Sequence, residues 1–217
     1  MPAEGMIATC DRRRALSRED VGFLTWDHPM VTGAMELLLG GETGNCAFAV
    51  LPAANDRTLL LECLFVLEAI ADSHLHTDRF LPPTPVRVVI NHKRVDVTDA
   101  FRADAWEAKL LKGSPYKLLE NADIVRRVLP SMIVAATKLA ETQAAKLRQS
   151  ALEEMNYLLG HEVKRLQMLH QVNDHVRPQE IELAQAQQNK LAVALQESRL
   201  RLDSLRLIWK GPPEISR

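Results

Sequence analysis

The feature that most limits how this chain can fold is a long run with no helix breaker. From Ser131 to about Asn173 there is no proline, a single glycine, and a dense supply of Ala, Leu, Glu, Lys and Gln. Those residues lose little side-chain freedom in a helix, so the run reads as one continuous helix on the order of 60 Å long at 1.5 Å per residue. Asn173-Asp174-His175-Val176-Arg177-Pro178 then breaks it, and a second helix is expected to start at Pro178. There Ile181, Ala184, Gln188, Leu191, Leu195, Ser198 and Leu202 step alternately by three and four, which is a heptad seam. Two long helices joined by a short turn fold back as an antiparallel hairpin.

Upstream the period changes. Asn45 to Leu51, Thr58 to Ile70 and Pro85 to Asn91 are rich in Leu, Val, Phe and Cys and read as strands. Pro52 to Asp56 looks like a hairpin turn joining the first two. Glu62 and Glu68 fall on one face of the second strand, which suits a face at least partly wet. Phe80-Leu81-Pro82-Pro83-Thr84 forms a stiff corner ahead of the third strand, with Phe80 and Leu81 expected to anchor it and Asp78 and Arg79 free to make a polar bridge. Its Pro82-Pro83-Thr84-Pro85 fits P-x-x-P but reads better as that corner than as a docking peptide.

In Trp26-Asp27-His28-Pro29, Asp27 is expected to cap a helix that carries Met30, Val31, Ala34, Leu37 and Leu38 and stops at Gly40-Gly41. Ser114-Pro115 opens a short helix, and Pro130 either kinks or restarts it. Leu205 to Trp209 is apolar and β-compatible, a strand returning to the sheet. The expected fold is therefore α+β. An antiparallel or mixed sheet body (1–113) carries a long antiparallel helical hairpin arm (114–204), and a C-terminal strand and tail (205–217) pack back on the body.

Charge is uneven but mild. Up to Val125 there are 13 Lys and Arg against 18 Asp and Glu, and from Arg126 onward 14 against 10. That contrast separates two differently built halves more than it marks a polyanion site. Cys10, Cys46 and Cys63 are widely spaced, with no CxxC pair for zinc and no disulfide framework. No 18-residue apolar span and no signal-peptide stretch occurs, so the expected home is the reducing cytoplasm, away from a membrane.

Chemistry is sparse. Gly40-Gly41-Glu42-Thr43-Gly44 lacks the Lys-Ser/Thr of a phosphate loop, and no G-x-S-x-G or H-E-x-x-H is present. His74 and His76 would face the same way on an extended chain, and with His92 could hold a metal, though polar residues are routine in such a loop. Arg12, Arg13 and Arg14, joined by Lys164 and Arg165, could touch phosphates, but no aromatics interleave with them as single-strand binders require. His161 and His170 read as face residues of the hairpin. No catalytic, cofactor or metal residues are therefore assigned. The candidate interaction residues are Asp78, Arg79, Phe80, Arg12, Arg13, Arg14, Lys164 and Arg165.

Three pieces carry a resemblance. They are Phe23-Leu24-Thr25-Trp26-Asp27-His28-Pro29-Met30-Val31 with Gly33-Ala34-Met35; Leu75-His76-Thr77-Asp78-Arg79-Phe80-Leu81-Pro82-Pro83-Thr84-Pro85-Val86-Arg87-Val88; and Arg201-Leu202-Asp203-Ser204-Leu205-Arg206-Leu207-Ile208. In this order they resemble the C-terminal region of the RapA family, bacterial RNA polymerase-associated ATPases of Swi/Snf type, over about Arg18 to Trp209. The resemblance implies a whole protein that binds RNA polymerase and uses ATP to help recycle it after transcription. It also implies motor lobes, with their ATP and magnesium, N-terminal to the region in hand. The Walker-type lysine and acidic magnesium motif are absent from this sequence, so no ATPase residue carries over. The expected role is a non-catalytic region contacting RNA polymerase or its own motor lobes. The alternatives are a module that guides DNA or RNA beside the motor, and a small metalloenzyme built on His74 and His76.

Overall fold

The computed structural model describes residues 7–39, 45–54, 56–173 and 175–212. They fall into two compact units, Met1–Gly44 and Asn45–Arg217.

In the first unit, strand β1 (Ala8–Thr9) and β2 (Gly22–Phe23) pair in parallel, with helix α1 (Arg12–Ser17) between them in sequence. Asp11 caps α1, its carboxylate accepting from the Arg13 and Arg14 amides at 2.9 and 3.4 Å. Helix α2 (Pro29–Leu39) follows. Its cap is His28, whose Nδ1 accepts from the Met30 amide at 3.2 Å, and not Asp27. Proline favours the first helical position, so the cap falls on the residue just before it. Asp27 is engaged instead by the Thr25 hydroxyl, which holds its carboxyl below the ordinary range. The expected stop at Gly40-Gly41 lies outside the described residues. Of the apolar positions on α2, Met30 and Ala34 are exposed and Val31 is half-buried.

The second unit is a five-stranded mixed sheet, ordered β5-β4-β7-β3-β6, with helices against one face. Its strands are β3 (Cys46–Pro52), β4 (Thr58–Glu68), β5 (Thr84–Asn91), β6 (Leu111–Lys112) and β7 (Arg199–Gly211). The hairpin expected between β3 and β4 does not form. Strand β7 lies between them, parallel to β3 (Cys46↔Leu205 to Pro52↔Gly211) and antiparallel to β4. Strand β7 pairs along the whole of β4, from Thr58↔Lys210 to Glu68↔Arg199, so the edge a hairpin with β3 would use is taken. Leu59, Leu60, Leu61, Cys63, Phe65 and Leu67 are buried in near-continuous sequence because α5 covers one face of the sheet and Val97, Phe101, Trp106 and Leu110 pack on the other. The link after Pro52 needs only to cross two strand spacings, about 10 Å.

Strand β7 also starts six residues before Leu205. Its register shifts beside Leu64, which pairs with Ser204 while Phe65 pairs with Leu202, leaving Asp203 as a bulge. The bulge moves the alternating leucines from the Leu200 parity to the Leu205 parity, which hides the strand's true length in the sequence.

Short helices α3 (Ala103–Trp106) and α4 (Tyr116–Leu119) precede a π-helical turn, Ile124–Val128, that runs directly into α5 (Leu129–Val172). Pro130 follows just after this π turn, and the helical run passes through it with the ladder widened just before the ring, so the proline does not end the helix. The face of α5 bearing Met132, Ala136 and Ala140 packs on the sheet with Phe65, Val86, Val88, Ile90 and Leu207. Alanine at every fourth position lets the helix approach the strands closely.

Farther along, Ala144, Ala151 and Met155 meet Leu191 and Leu195 of α6 (Pro178–Gln196). The first turns of α5 therefore belong to the sheet's core, and only the distal part is hairpin alone. The heptad seam stops at Leu195. Ser198 is buried because its hydroxyl and carbonyl accept from the Arg148 guanidinium, both at 3.0 Å, and Leu202 belongs to β7.

Candidate interaction surfaces

The corner between β4 and β5 is built from two 3₁₀ turns, Ser73–Leu75 and Thr77–Arg79, hinged at His76 in a left-handed conformation (φ 49°). The chain there is not extended, so the parity that would align His74 with His76 does not hold. His74, His76 and His92 are all exposed. No group of three or more His, Cys, Asp or Glu suited to a metal ion occurs among the described residues. Leu75, Phe80 and Leu81 are buried against Leu67, Met155, Leu191 and Leu195, so the corner is clamped onto the hairpin. Phe80 is 7% exposed and works from inside, while Asp78 and Arg79 stand in solvent. The Arg79 guanidinium lies 5.2 Å from the Phe80 ring centroid, so its cation covers the anchor.

The remaining sequence candidates lie on other elements. Arg12, Arg13 and Arg14 are exposed on α1 in the first unit. Lys164 and Arg165 are exposed on distal α5, and Arg165 is held by Glu162 at 2.6 and 2.8 Å. This pairing keeps the Glu162 carboxyl below its usual range and removes part of the positive charge a phosphate would use. From 164 to 190 no described side chain is buried, and Met168, Val172 and Leu183 are exposed apolar groups there. His170 Nδ1 lies 2.6 Å from the Val176 carbonyl, a contact that joins α5 to the turn.

The most elaborate polar cluster went unread in the sequence. Glu62, on the sheet face away from α5, receives Arg87 Nε and Arg206 Nε, both at 2.6 Å. Arg206 also forms two 2.9 Å bonds to Glu107, and Arg87 donates to the Phe101 carbonyl at 2.6 Å. Glu107 and then Glu62 raise the Arg206 pKa, and Arg206 holds Glu107 below the usual carboxylate range. The network ties the 95–112 segment to the sheet beside Phe101 and Trp106, whose rings stack at 4.7 Å. The available signal was a glutamate inside an apolar strand, with arginines on both strands that flank it. All its charges are matched, which makes it a structural brace. No buried side-chain nitrogen or oxygen among the described residues lacks a hydrogen-bond partner.

Two clefts border α5 in the second unit. One, of about 310 Å³, is apolar, lying between Phe48 and Leu207 on the sheet and Leu119, Leu129 and Ile133 on the helices. The other, of about 380 Å³, lies between the turn after β5 and the first turns of α5. Among the described residues no helix is long and apolar enough to cross a membrane.

Fold and surface together define an α+β protein in which a mixed sheet is braced by a helical hairpin, with its polar clusters matched internally. The chain belongs to the RNA polymerase recycling family C-terminal, which matches residues 1–210. It is similar to the RNA polymerase-associated protein RapA of Serratia proteamaculans (strain 568), at 34% identity over 96% of this chain. The same protein from Proteus mirabilis (strain HI4320) and from Pectobacterium carotovorum subsp. carotovorum (strain PC1) matches with the same identity and coverage. The chain spans 22% of the length of these relatives.

Proposed function

We propose that this chain is the non-catalytic C-terminal region of an RNA polymerase-associated, Swi/Snf-type ATPase that takes part in recycling RNA polymerase. It acts through protein–protein contacts, either with RNA polymerase or with the motor lobes of its own polypeptide. ATP and magnesium belong to those lobes. The observation that carries this reading is membership of the polymerase-recycling family over residues 1–210.

Two structural features support it. The corner presents Asp78 and Arg79 from a rigid, internally anchored turn, so a partner can engage them without first ordering the loop. The distal hairpin exposes Met168, Val172 and Leu183, in a stretch where no described side chain is fully buried. Guiding DNA or RNA is less well supported, because Arg165 is already paired with Glu162 and no aromatic side chain interleaves with Arg12 to Arg14. The purified chain should turn over no ATP. It should associate with RNA polymerase or with the separately purified remainder of the full-length protein. Turnover abolished by mutating a residue within the chain, or association with neither partner, overturns the reading.

A further inference from the structure

The turn after β5 holds an arginine where the backbone favours glycine. Asn91 organises this turn. Its side-chain oxygen accepts from the Lys93 and Val95 amides at 2.9 and 3.0 Å, and its carbonyl accepts from the Arg94 amide at 2.8 Å. The chain leaves through Arg94 at φ 66°, one of two non-glycine residues with positive φ among the described residues. A type I turn followed by a left-handed residue is a common hairpin solution, and that last position is ordinarily glycine, which meets no steric penalty there. An arginine in that conformation costs stability. Strain of this kind persists where the surrounding structure holds it, as Asn91 does here, and it clusters at ligand clamps and other functional sites.

The side chain lines the 380 Å³ cleft together with Pro130, Ser131, Val134, Ala135 and Lys138 of α5. Ser131 is spent, its hydroxyl donating to the Val128 carbonyl at 2.8 Å. Val134 is 55% exposed and forms an aliphatic floor with Pro130 and Ala135. Neither Arg94 nor Lys138 has a side-chain partner among the described residues, and the lining includes no acidic side chain. Two free cations therefore stand at the rim of an apolar floor.

We infer that this cleft docks an acidic protein segment that carries an aliphatic anchor, the anchor lying on Val134 and its carboxylates reaching Arg94 and Lys138. Charge complementarity argues for the carboxylates, and the floor argues for the anchor. The absence of an aromatic platform in the cleft argues against a single-stranded nucleic acid, whose bases stack on aromatic rings. The inference rests on the polymerase-contact reading above and places the acidic segment on RNA polymerase.

The test uses the full-length protein and its cognate RNA polymerase. Arg94→Gly should leave the melting temperature unchanged or raised, because glycine relieves the left-handed strain, and should weaken polymerase binding. Arg94→Glu with Lys138→Glu should weaken it by about tenfold or more, with the larger loss at low salt. A photo-crosslinking residue at Val134 should capture an acidic polymerase peptide. Wild-type affinity in both variants overturns the inference and leaves the polymerase reading standing. Capture of DNA or RNA at Val134 overturns it in favour of a polyanion site. A wild-type protein that does not bind polymerase overturns both.

Discussion

Truncating Phe80 separates an interface residue from a structural anchor. The ring is 7% exposed and packs in a cluster with Leu67, Leu75, Leu81, Met155, Leu191 and Leu195, which joins the corner to both helices of the hairpin. Removing a buried phenylalanine forfeits its transfer free energy and leaves a cavity, together about 3–5 kcal/mol. The Arg79 cation 5.2 Å from the ring adds up to about 1 kcal/mol at an exposed site. In a domain of this size each kcal/mol lowers the melting temperature by about 2–4 °C, so a total loss of about 3–6 kcal/mol in Phe80→Ala should lower it by about 6–24 °C. Arg79→Ala should lose only the cation's share. Calorimetry on the 217-residue chain, with urea unfolding as a check, measures both. A Phe80→Ala curve within about 1 kcal/mol of wild type would refute the packing argument and return Phe80 to the surface, because apolar residues truncated there cost little.

Glu107 titrates with a depressed pKa because of Arg206, so their pairing stabilises the fold above the ordinary glutamate value of 4.5 and is lost as pH falls through the folded-state value. Glu107→Gln should therefore lower stability at neutral pH and flatten the decline on the acid side. Superimposable pH–stability curves would contradict this. Burial, with a smaller contribution from Glu62, pushes the Cys63 thiol up to about 11, while Cys10 and Cys46 are exposed. Ellman's reagent at pH 8 should label two thiols in the native chain and three after denaturation, and rapid native labelling of all three would show that β4 is not buried. In the isolated chain, amide exchange protection should fall from Leu191 and Leu195 toward the turn near Val176, since no described side chain from 164 to 190 is buried. Uniform protection out to the turn would sink that gradient.

The long helix, the break before Pro178, four of the strands (the last of them the returning C-terminal one, read at its second half) and the buried Phe80-Leu81 corner were legible because each depends on local chemistry or on a period that nothing interrupts. The order of strands in the sheet was not. The hairpin expected across Pro52 to Asp56 relied on proximity in sequence, whereas β7 enters between β3 and β4 from the far end of the chain. The apolar run of β4 reports that both of its faces are covered, not which strand pairs at its edge. The bulge at Asp203 masked the first half of β7, and a heptad that continued by coincidence through Ser198 and Leu202 covered the same residues. The exposure of Asp78 and Arg79 was legible, because a stiff turn pushes them outward. The cleft at Arg94 was not legible, because backbone strain leaves no trace in composition and Lys138 comes close only when α5 lies against the sheet.

Residue-level cross-linking of the full-length protein bound to RNA polymerase tests the account most directly. The account predicts cross-links from this region, at the corner, the distal hairpin or the Arg94 cleft, to polymerase subunits or to the remainder of the same polypeptide. A region that cross-links to nucleic acid alone, or to nothing while the rest of the protein cross-links efficiently, would contradict it.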